Sequence, residues 1–445
     1  MKRILTIAGS DSGGGAGIQA DIKTITVLGG FAMSAITALT AQNTTGVQGI
    51  QPVPIEFIRL QMHSVLSDIG VDAVKTGMLS TPEVVEAVVD VLREHLVEII
   101  VVDPVMVAKS GDSLLSNAAK DAMKKMLIPM AHVVTPNLAE ASALSGIAVR
   151  GIDSMKDAAV KIFDLGPRYV LVKGGHLKGR AVDILFNGEE FREYEAIRLA
   201  NRNTHGTGCT FSAAIVTLIA QGKSVPDAVA EAKQFISRAI DLGIAIGRGI
   251  GPANPYAHVL LYKERDAVLQ DMDRTLSLLL EARLARLIPE VRSNLCYAIP
   301  GAQSYMDVAA VPGRISTLGD HLVIHRGSAF GASRHVASVV LAAMRKNSDM
   351  RSAMNIRYSK EIVAGCRKAG LTMASFDRKK EPKAVKAREG SSLDWGTEMA
   401  LKGAEVFPDI IYDEGDMGKE PMLRVLGKNP SDVANKVIKI GMASV

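Results

Sequence analysis

Short apolar runs rich in β-branched residues alternate with helical apolar patterns along the first 260 residues. A strand is predicted over Arg3–Ala8, followed by a glycine-rich turn and a helix from about Ala16. Thr81 followed by Pro82 is a helix-start signal. Three further strands are predicted, each ending at a polar or turn-forming dipeptide: Glu98–Val102, His132–Thr135 and Tyr169–Lys173. This βαβα rhythm predicts an α/β fold with a mostly parallel sheet and helices on both of its faces.

Polar residues cluster where these predicted strands end. Gly9, Asp103, Asn137 and Lys173 each fall at or just after a predicted strand. In parallel α/β sheets, ligands bind beyond the carboxyl ends of the strands. We therefore expect these four residues to share one ligand site.

The alternating pattern breaks at residues 249–255, where glycine and proline are frequent. A charged, helix-prone segment follows over Lys263–Leu287. We place a boundary here and predict two domains, 1–261 and 262–445. The second is expected to be a smaller α/β domain, with strands at Leu322–His325 and Pro408–Tyr412.

The composition excludes several classes of protein. With 445 residues, of which 47% are hydrophobic and 22% charged, the chain is not globally disordered. Apolar runs such as Ile99–Val102 are far shorter than the ~20 residues that span a bilayer, and the first residues lack a signal-peptide pattern. Three cysteines cannot form a disulfide framework, and there is no CxxC pair to suggest zinc. We expect a cytoplasmic protein with no membrane partner.

Charge is distributed unevenly along the chain. Residues 1–270 carry 26 Lys+Arg and 27 Asp+Glu, whereas residues 271–445 carry 26 and 20, a net charge of +6. Such an excess suits nucleic acid or small anions such as phosphates. Because aromatic residues are only 4% and no nucleic-acid-binding signature is present, small anions are favoured and no nucleic-acid partner is expected.

The glycine-rich segment 8–17 follows a predicted strand and opens a helix. Such a loop lets backbone N–H groups approach an anion. It is neither a phosphate-binding loop of the GxxxxGK[ST] type nor a dinucleotide fingerprint. The alternative is a tight turn between strand and helix.

A second glycine pair, in the segment 205–210, precedes an apolar helix over Phe211–Ala220. The exposed N–H groups of this first helical turn can hold the oxygens of a phosphoryl group in transfer. We expect the helix N-terminus to lower the pKa of the Cys209 thiol. The alternative is a small cysteine buried at a helix start.

Asn137 and Glu140 lie three residues apart after a predicted strand. The pair suits a Mg²⁺–phosphate site held partly through water. It equally suits a helix N-cap with a capping-box acid. Lys173 can neutralise phosphate charge or be an ordinary surface lysine.

Seven motifs in this order identify the region of residues 1 to about 260. It closely resembles the hydroxymethylpyrimidine/phosphomethylpyrimidine kinases of thiamine biosynthesis, which belong to the ribokinase-like superfamily. The motifs are AGSDSGGGAGIQAD (8–21), TALTAQNT (37–44), KTGML (75–79), DPVMVAKSG (103–111), TPNLAEA (135–141), VKGGH (172–176) and NTHGTGCT (203–210).

The resemblance implies a ribokinase-like fold that uses ATP and Mg²⁺ to phosphorylate the pyrimidine alcohol and then its monophosphate. Positions matching the family's pyrimidine pocket are Gly9, Asp21, Gln42, Met78, Val105 and Cys209. Asp21 and Gln42 have the donors and acceptors to pair with an aminopyrimidine edge. Positions matching the anion hole are Gly206, Thr207, Gly208 and Cys209, with Cys209 as the proton acceptor. Asn137, Glu140 and Lys173 match the ATP, Mg²⁺ and phosphate positions, with Glu140 as a metal ligand.

Residues from about 270 to the end resemble the archaeal-type thiamine-phosphate synthase domain. The resemblance rests on PGRI (312–315), GDHLVIHRGSAFGASRHVA (319–337) and FPDIIYDEGDMGKEP (407–421). It implies condensation of the pyrimidine diphosphate with hydroxyethylthiazole phosphate and release of pyrophosphate. Arg314 and His335 match the residues associated with that activity.

Two features of this region have alternative interpretations. The acidic residues Asp413, Glu414 and Asp416 can hold Mg²⁺ or lie in a surface loop. The charge run Arg378–Lys386 is interpreted as a solvated loop or helix face.

Other functions remain open at this stage. The kinase can prefer pyridoxal-type alcohols, and the second domain can be a ligand sensor or an oligomerisation module. The resemblance also implies a homodimer.

Overall fold

The computed structural model of the chain describes residues 1–106, 116–175, 177, 181–196, 198–199, 201–382, 385, 391–404 and 406–444. Contacts between residues divide the chain into two compact units, Met1–Leu260 and Leu261–Val445. Parts of three sequence features lie outside the described residues: 107–111 of the 103–111 motif, His176, and residues 383, 384 and 386 of the charge run.

The strands of the first unit are β1 (Arg3–Asp11), β2 (Phe31–Asn43), β3 (Gly46–Pro52), β4 (Ala73–Thr76), β5 (Ile100–Val102), β6 (Val133–Val134), β7 (Tyr169–Val172), β8 (Ala181–Phe186) and β9 (Phe191–Ala196). Its helices are α1 (Gly17–Val27), α2 (Ile55–Asp68), α3 (Pro82–Glu94), α4 (Asn117–Ala122), α5 (Leu138–Ser145), α6 (Ile152–Phe163), α7 (Thr207–Ala220) and α8 (Val225–Asp241).

The described strands of this unit form one sheet in the order β3-β2-β1-β4-β5-β6-β7-β8-β9. Six neighbouring strands of this sheet pair in parallel: β2, β1, β4, β5, β6 and β7. The edge strands β3, β8 and β9 pair antiparallel. The predicted mostly parallel sheet is therefore confirmed.

Neighbouring residues of the central strands face opposite sides of this sheet. Ile4 packs in a core layer with residues of α1, α7 and α8. Leu5, the next residue, packs in a second layer with residues of α2, α3 and α6. Because strand side chains alternate between faces, each layer of helices covers half of every strand. The prediction of helices on both faces is confirmed.

The second unit has the strands β10 (Leu295–Ala298), β11 (Val308–Ala310), β12 (Ser316–Leu318), β13 (His321–Val323), β14 (Ala329–Phe330), β15 (Ser352–Arg357), β16 (Met373–Ser375), β17 (Ile410–Asp413) and β18 (Met422–Gly427). Its helices are α9 (Ala257–Glu281), which begins before the unit boundary, α10 (His335–Lys346), α11 (Lys360–Lys368), α12 (Ser391–Lys402) and α13 (Pro430–Ala443).

Most of these strands form a sheet in the order β14-β11-β10-β15-β18-β17-β16, in which only the β16–β17 pair is parallel among the described residues. One face is covered by α9, α11 and α13, and the other by α10 and α12. The predicted second α/β unit is thus present, built on a mainly antiparallel sheet.

The helix predicted over Lys263–Leu287 has different bounds. α9 spans Ala257–Glu281, and a separate 3₁₀ turn covers Ala285–Leu287. Leu284 and Leu287 are buried in the same core as the helix face. Apolar spacing therefore predicted the burial of these two leucines correctly, but it also placed Leu280, which is exposed, on the same face, and it did not mark the end of the helix.

No helix in the described part of the chain combines the length and the apolar character needed to cross a membrane.

Candidate functional site

A cavity of about 680 Å³ opens at the carboxyl ends of the parallel strands in the first unit. The sequence-predicted residues that line it include, from the strand ends and the glycine segments, Gly9, Gln42, Met78, Val105, Asn137, Glu140, Lys173, Gly206, Thr207, Gly208 and Cys209. The expected meeting of Gly9, Asp103, Asn137 and Lys173 is confirmed, because all four line this cavity.

The turn before α7 is fixed by close backbone contact with the glycine-rich loop. Gly206 precedes the helix with φ of +74°, and a Cβ built on it would lie 1.7 Å from the carbonyl oxygen of Gly15. The Thr207 hydroxyl donates to the Thr204 carbonyl at 2.7 Å. A Cβ on Gly208 would lie 3.4 Å from Lys173 Nζ. The N-terminus of α7 therefore presents its free N–H groups beside a lysine ammonium, an arrangement that suits an anion.

The glycine-rich loop is not itself an anion cradle. The Asp11 carboxylate accepts hydrogen bonds from the backbone N–H groups of Gly13, Gly15 and Ala16 at 2.8–3.0 Å. His205 Nε2 lies 2.9 Å from the same carboxylate. Burial opposes ionisation of Asp11, but the His205 contact and the backbone donors outweigh it and lower its pKa. The loop N–H groups are thus satisfied internally, which agrees with the alternative of a tight turn.

Asp11 and His205 are site residues that sequence reasoning missed. Both line the cavity, and their contact joins the β1–α1 loop to the turn before α7. Asp11 is the last residue of β1 and stands just before the glycine run, a position typical of a turn-capping acid. Its partner is 194 residues further along the chain, so no local pattern indicates the pair.

Lys173 is a largely buried, ion-paired cation rather than an ordinary surface lysine. Its ammonium lies 2.9 Å from the Asp103 carboxylate, and only 13% of its side chain is exposed. Thr135 Oγ1 and Ser212 Oγ also lie within 3.3 Å of that carboxylate. Burial disfavours the ionised forms of both groups, but Lys173 lowers the pKa of Asp103 and Asp103 raises that of Lys173. An ammonium is therefore held at the cavity wall.

Asn137 and Glu140 form a helix N-cap with a capping box, which is one of the two interpretations of this pair; the other is a Mg²⁺–phosphate site. The Asn137 side chain accepts from the N–H groups of Ala139 and Glu140, and the Glu140 carboxylate accepts from the Asn137 N–H at 2.7 Å. Both residues also line the cavity, so the cap does not exclude a ligand role. Burial raises the pKa of Glu140 to about 7, against the lowering effect of Lys173.

The raised pKa of Glu140 predicts a pH-dependent stability. The folded chain keeps this proton until about pH 7, whereas the unfolded chain loses it near 4.5. The folded state binds more protons in this window, so Glu140 should lower the free energy of unfolding as pH rises from 4.5 to 7, by up to about 3 kcal/mol. Urea unfolding of metal-free protein at pH 5, 6, 7 and 8 measures this. Glu140→Gln should flatten the profile, and equal slopes for both proteins would contradict it.

Asp21 does not lie at the cavity surface. It is fully buried, and its Oδ2 accepts from Lys75 Nζ at 2.8 Å and from Thr6 Oγ1 at 2.6 Å. Lys75, to which the sequence patterns assigned no role, lines the cavity in its place. Burial alone would lower the pKa of Lys75, but Asp21, Cys209 and Asp103 raise it. Asp21 therefore has no surface in the cavity and contacts a lining residue, Lys75, so its direct pairing with a ligand stays a prediction.

The expected lowering of the Cys209 pKa is wrong. Cys209 is half-buried and lines the cavity, and burial raises the pKa of its thiol to about 11. Lys75 lowers the value, while Asp21 and Asp103 raise it. Desolvation of the thiolate outweighs the lowering effects of Lys75 and of the Gly17 backbone, so the thiol is protonated at neutral pH.

The two residues predicted in the second unit are both exposed. Arg314 has φ of +68°, and its guanidinium donates to the Val291 carbonyl at 2.5 Å. His335 is the first residue of α10. Both side chains are therefore accessible to a ligand.

Asp413 does not belong to an acidic metal site. Its buried carboxylate lies 2.5 Å from Arg378 Nε and 2.8 Å from Arg424 Nη1. The prediction that the charge run Arg378–Lys386 is solvated is wrong for its first residue, because Arg378 is buried against Asp413. Two guanidinium groups occupy the carboxylate oxygens that a cation would need.

Comparisons with known proteins match two families to separate parts of the chain. The family model described as phosphomethylpyrimidine kinase matches residues 11–254, and that described as thiamine-phosphate synthase ThiN matches residues 271–439. The chain is 51% identical over 251 residues to the hydroxymethylpyrimidine/phosphomethylpyrimidine kinase of Streptomyces coelicolor, covering 56% of this chain and 93% of that protein.

The thiamine biosynthesis bifunctional protein ThiED of Geobacter sulfurreducens is also 51% identical, over 58% of this chain. The chain spans about half, 52%, of the length of that relative. Among solved structures, the pyridoxal kinase of Bacillus subtilis in an ADP complex is 41% identical with a TM-score of 0.56, covering 58% of this chain and 99% of that one. The pyridoxal kinase of Staphylococcus aureus with AMP-PCP and pyridoxal is 38% identical with a TM-score of 0.54, covering 58% and 95%.

Proposed function

The chain belongs to the phosphomethylpyrimidine kinase family, and we propose that its first unit phosphorylates hydroxymethylpyrimidine and then its monophosphate with ATP. The observation that carries this proposal is the cavity in which the N-terminus of α7 and the Lys173 ammonium meet. Phosphoryl transfer depends mainly on positioning and on stabilising charge around the transferred group. Both requirements are met by this arrangement.

We propose that the pyrimidine binds beside the Gln42 amide and the apolar side chains of Met78 and Val105, which all line the cavity. Gln42 is held by the Thr40 hydroxyl at 3.1 Å and approaches His205 Nε2 at 3.4 Å. A fixed amide offers both a donor and an acceptor to the polar edge of an aminopyrimidine ring. The apolar side chains of Met78 and Val105 would contact the ring faces.

The donor set beyond the ends of β5, β6 and β7 fits a Mg²⁺–ATP complex. Asp103 and Glu140 are buried carboxylates that face the cavity with Asn137, and hard oxygen ligands are those that Mg²⁺ prefers. Burial raises the pKa of Glu140, and a cation bound beside it would favour its ionised form. Bound Mg²⁺ would neutralise phosphate charge; Glu140 and Asn137 would hold it, and Lys173 would bind the phosphate oxygens.

Replacing Cys209 by alanine is expected to lower kcat of the first phosphorylation at least about tenfold, because Cys209 lies in the first turn of α7 beside the transferred group. Steady-state kinetics with the pyrimidine alcohol measures this. The pH profile of kcat shows whether the Cys209 thiolate accepts the alcohol proton or the side chain only helps to position the substrate. If the thiolate accepts the alcohol proton, kcat of the unsubstituted protein rises with pH beyond 9, since the thiol pKa is about 11. Unchanged kinetics in Cys209→Ala would remove this residue from catalysis.

For the second unit we propose condensation of the pyrimidine diphosphate with hydroxyethylthiazole phosphate, releasing pyrophosphate. The ThiN match over 271–439 and the net charge of +6 beyond residue 270 support this, because every ligand of the reaction carries phosphate. The aminopyrimidine can stabilise a methylene cation, so the protein must chiefly stabilise the departing pyrophosphate. We assign that role to Arg314 and His335, which are both exposed to solvent.

A second substrate class is favoured by the pyridoxal kinases among the similar structures. Their likeness to the first unit makes pyridoxal-type alcohols a defined alternative. Competition between the two alcohols for the same enzyme distinguishes them. A kcat/KM for hydroxymethylpyrimidine higher than that for the pyridoxal-type alcohol supports our assignment, and a lower one reverses it.

The kinase proposal itself is tested by incubating the chain with ATP, Mg²⁺ and hydroxymethylpyrimidine and following products by mass. Monophosphate should appear first and diphosphate after it. Absence of both products from folded protein would contradict the proposal.

We further propose that the protein acts in the cytoplasm and that it is a homodimer. Sedimentation of the purified chain tests the homodimer.

A further inference from the structure

Two imidazoles and a carboxylate meet between α2 and α3, on residues that do not line the cavity. His63 Nδ1 lies 3.1 Å from His95 Nε2, and His63 Nε2 lies 3.8 Å from Glu94 Oε2. One ligand atom from each of the three residues can be chosen so that all lie within 4.8 Å of one another. We propose that His63, Glu94 and His95 bind a divalent transition-metal ion of the zinc class.

The spacing of the two imidazole nitrogens matches shared coordination. Zinc–nitrogen bonds are about 2.0–2.1 Å long, so two nitrogens on a tetrahedral ion lie roughly 3.3 Å apart. The observed 3.1 Å is close to that separation. Their ring planes are inclined by 54°, with centroids 5.3 Å apart, so the rings do not stack. Two imidazoles and one carboxylate leave a fourth position for water.

The helix positions of Glu94 and His95 favour a cation. Glu94 ends α3 and His95 caps it, whereas His63 lies in the body of α2. The partial negative charge at a helix C-terminus attracts positive charge. One turn earlier on both helices, Arg59 pairs with Asp90 at 2.9 Å, which neutralises the cationic side chain that would otherwise repel the ion.

The site is accessible and chemically distinct from the proposed Mg²⁺ site. Side-chain exposure is 38% for His63 and 64% for Glu94. Imidazole ligands select zinc, copper or nickel over magnesium, which prefers oxygen. The ion would therefore connect α2 to α3 without occupying the cavity, and because it binds the folded state it should stabilise the protein.

The test is a titration of metal-free, full-length protein with Zn²⁺ by calorimetry and with Co²⁺ by visible absorption. The unsubstituted protein and the control His321→Ala, an exposed histidine of β13, should each bind one equivalent and show tetrahedral Co²⁺ bands. His63→Ala and His95→Ala should weaken this binding roughly tenfold or more, since each removes one of three ligands. Glu94→Gln, at an exposed position, should weaken it less.

Folding of each variant is checked by its melting temperature without metal and by phosphorylation of the pyrimidine alcohol with Mg-ATP. Both should equal those of the unsubstituted protein. Added Zn²⁺ should raise the melting temperature of the unsubstituted protein and of His321→Ala, but not of His63→Ala. Equal Zn²⁺ and Co²⁺ titrations for the unsubstituted protein and both histidine variants would overturn the proposal, and so would the absence of binding to the unsubstituted protein.

Discussion

Gly206→Ala is expected to lower the rate of pyrimidine phosphorylation at least about 100-fold. The new Cβ would lie 1.7 Å from the Gly15 carbonyl oxygen, a backbone atom, so the turn before α7 must shift to relieve the overlap. Displacing reacting groups by about 1 Å can cost roughly 100-fold in rate. The loss should appear in kcat, because the N–H groups of this turn act mainly on the phosphoryl group in transfer.

Gly146→Ala is the matched control for this substitution. Gly146 has φ of +76°, nearly that of Gly206, but no atom of the described residues lies within 4 Å of a Cβ built on it. The alanine in this control therefore meets the same backbone strain, about 1–2 kcal/mol, without the clash. Its kinase activity should stay within about twofold of the unsubstituted protein, since it costs stability and not position. Equal activities for the two variants would show that the contact between Gly206 and Gly15 does not fix the catalytic turn.

Arg314→Ala should abolish formation of thiamine phosphate while pyrimidine phosphorylation continues at its normal rate. The Arg314 guanidinium is exposed in the second unit, whereas the described residues that line the cavity of the first unit end at Ile240. A guanidinium binds phosphate oxygens through two parallel hydrogen bonds, so its loss should leave the pyrophosphate leaving group unstabilised. Supplying pyrimidine diphosphate directly, with hydroxyethylthiazole phosphate, isolates this step from the kinase.

Two further variants separate geometry from charge at this position. Arg314→Lys keeps the positive charge but loses the planar fork, so condensation should remain strongly reduced. Arg367→Ala removes an exposed arginine from the last turn of α11 and should leave both activities unchanged. Retained synthesis in Arg314→Ala would refute the assignment of this residue.

Local sequence patterns predicted the sheet and the place of the cavity. Asp103, Asn137 and Lys173 each follow a short β-branched run, and parallel strands bring such ends to one edge. The positions were therefore predictable from the order of strands and helices. The contact between Lys173 and Asp103, at 2.9 Å, required the fold.

Pairs that are distant in sequence were not predictable. His205 contacts Asp11 across 194 residues, and neither position carries a motif for the other. Asp413 stands in an acidic stretch of the sequence, but in the fold its carboxylate is paired with two buried arginines. Charge composition records which groups are present, whereas the fold decides which of them are paired.

Burial also changed the chemistry expected of single residues. The start of α7 predicted a lowered pKa for Cys209, yet desolvation raises it to about 11. Asp21 has the right atoms for a pyrimidine edge, but it is fully buried beneath the cavity lining, where its Oδ2 accepts from Lys75 and Thr6. Sequence position indicates the nearest helix terminus, whereas solvent access depends on the packing of the whole unit.

The most direct measurement is one reaction mixture of the purified chain, Mg-ATP, hydroxymethylpyrimidine and hydroxyethylthiazole phosphate, with products followed by mass. Our account predicts that pyrimidine monophosphate and diphosphate appear in turn and that thiamine phosphate and pyrophosphate follow. Diphosphate that accumulates without thiamine phosphate would contradict the proposed function of the second unit and favour a sensor or an oligomerisation module. Failure to phosphorylate the pyrimidine alcohol at all would contradict the central claim.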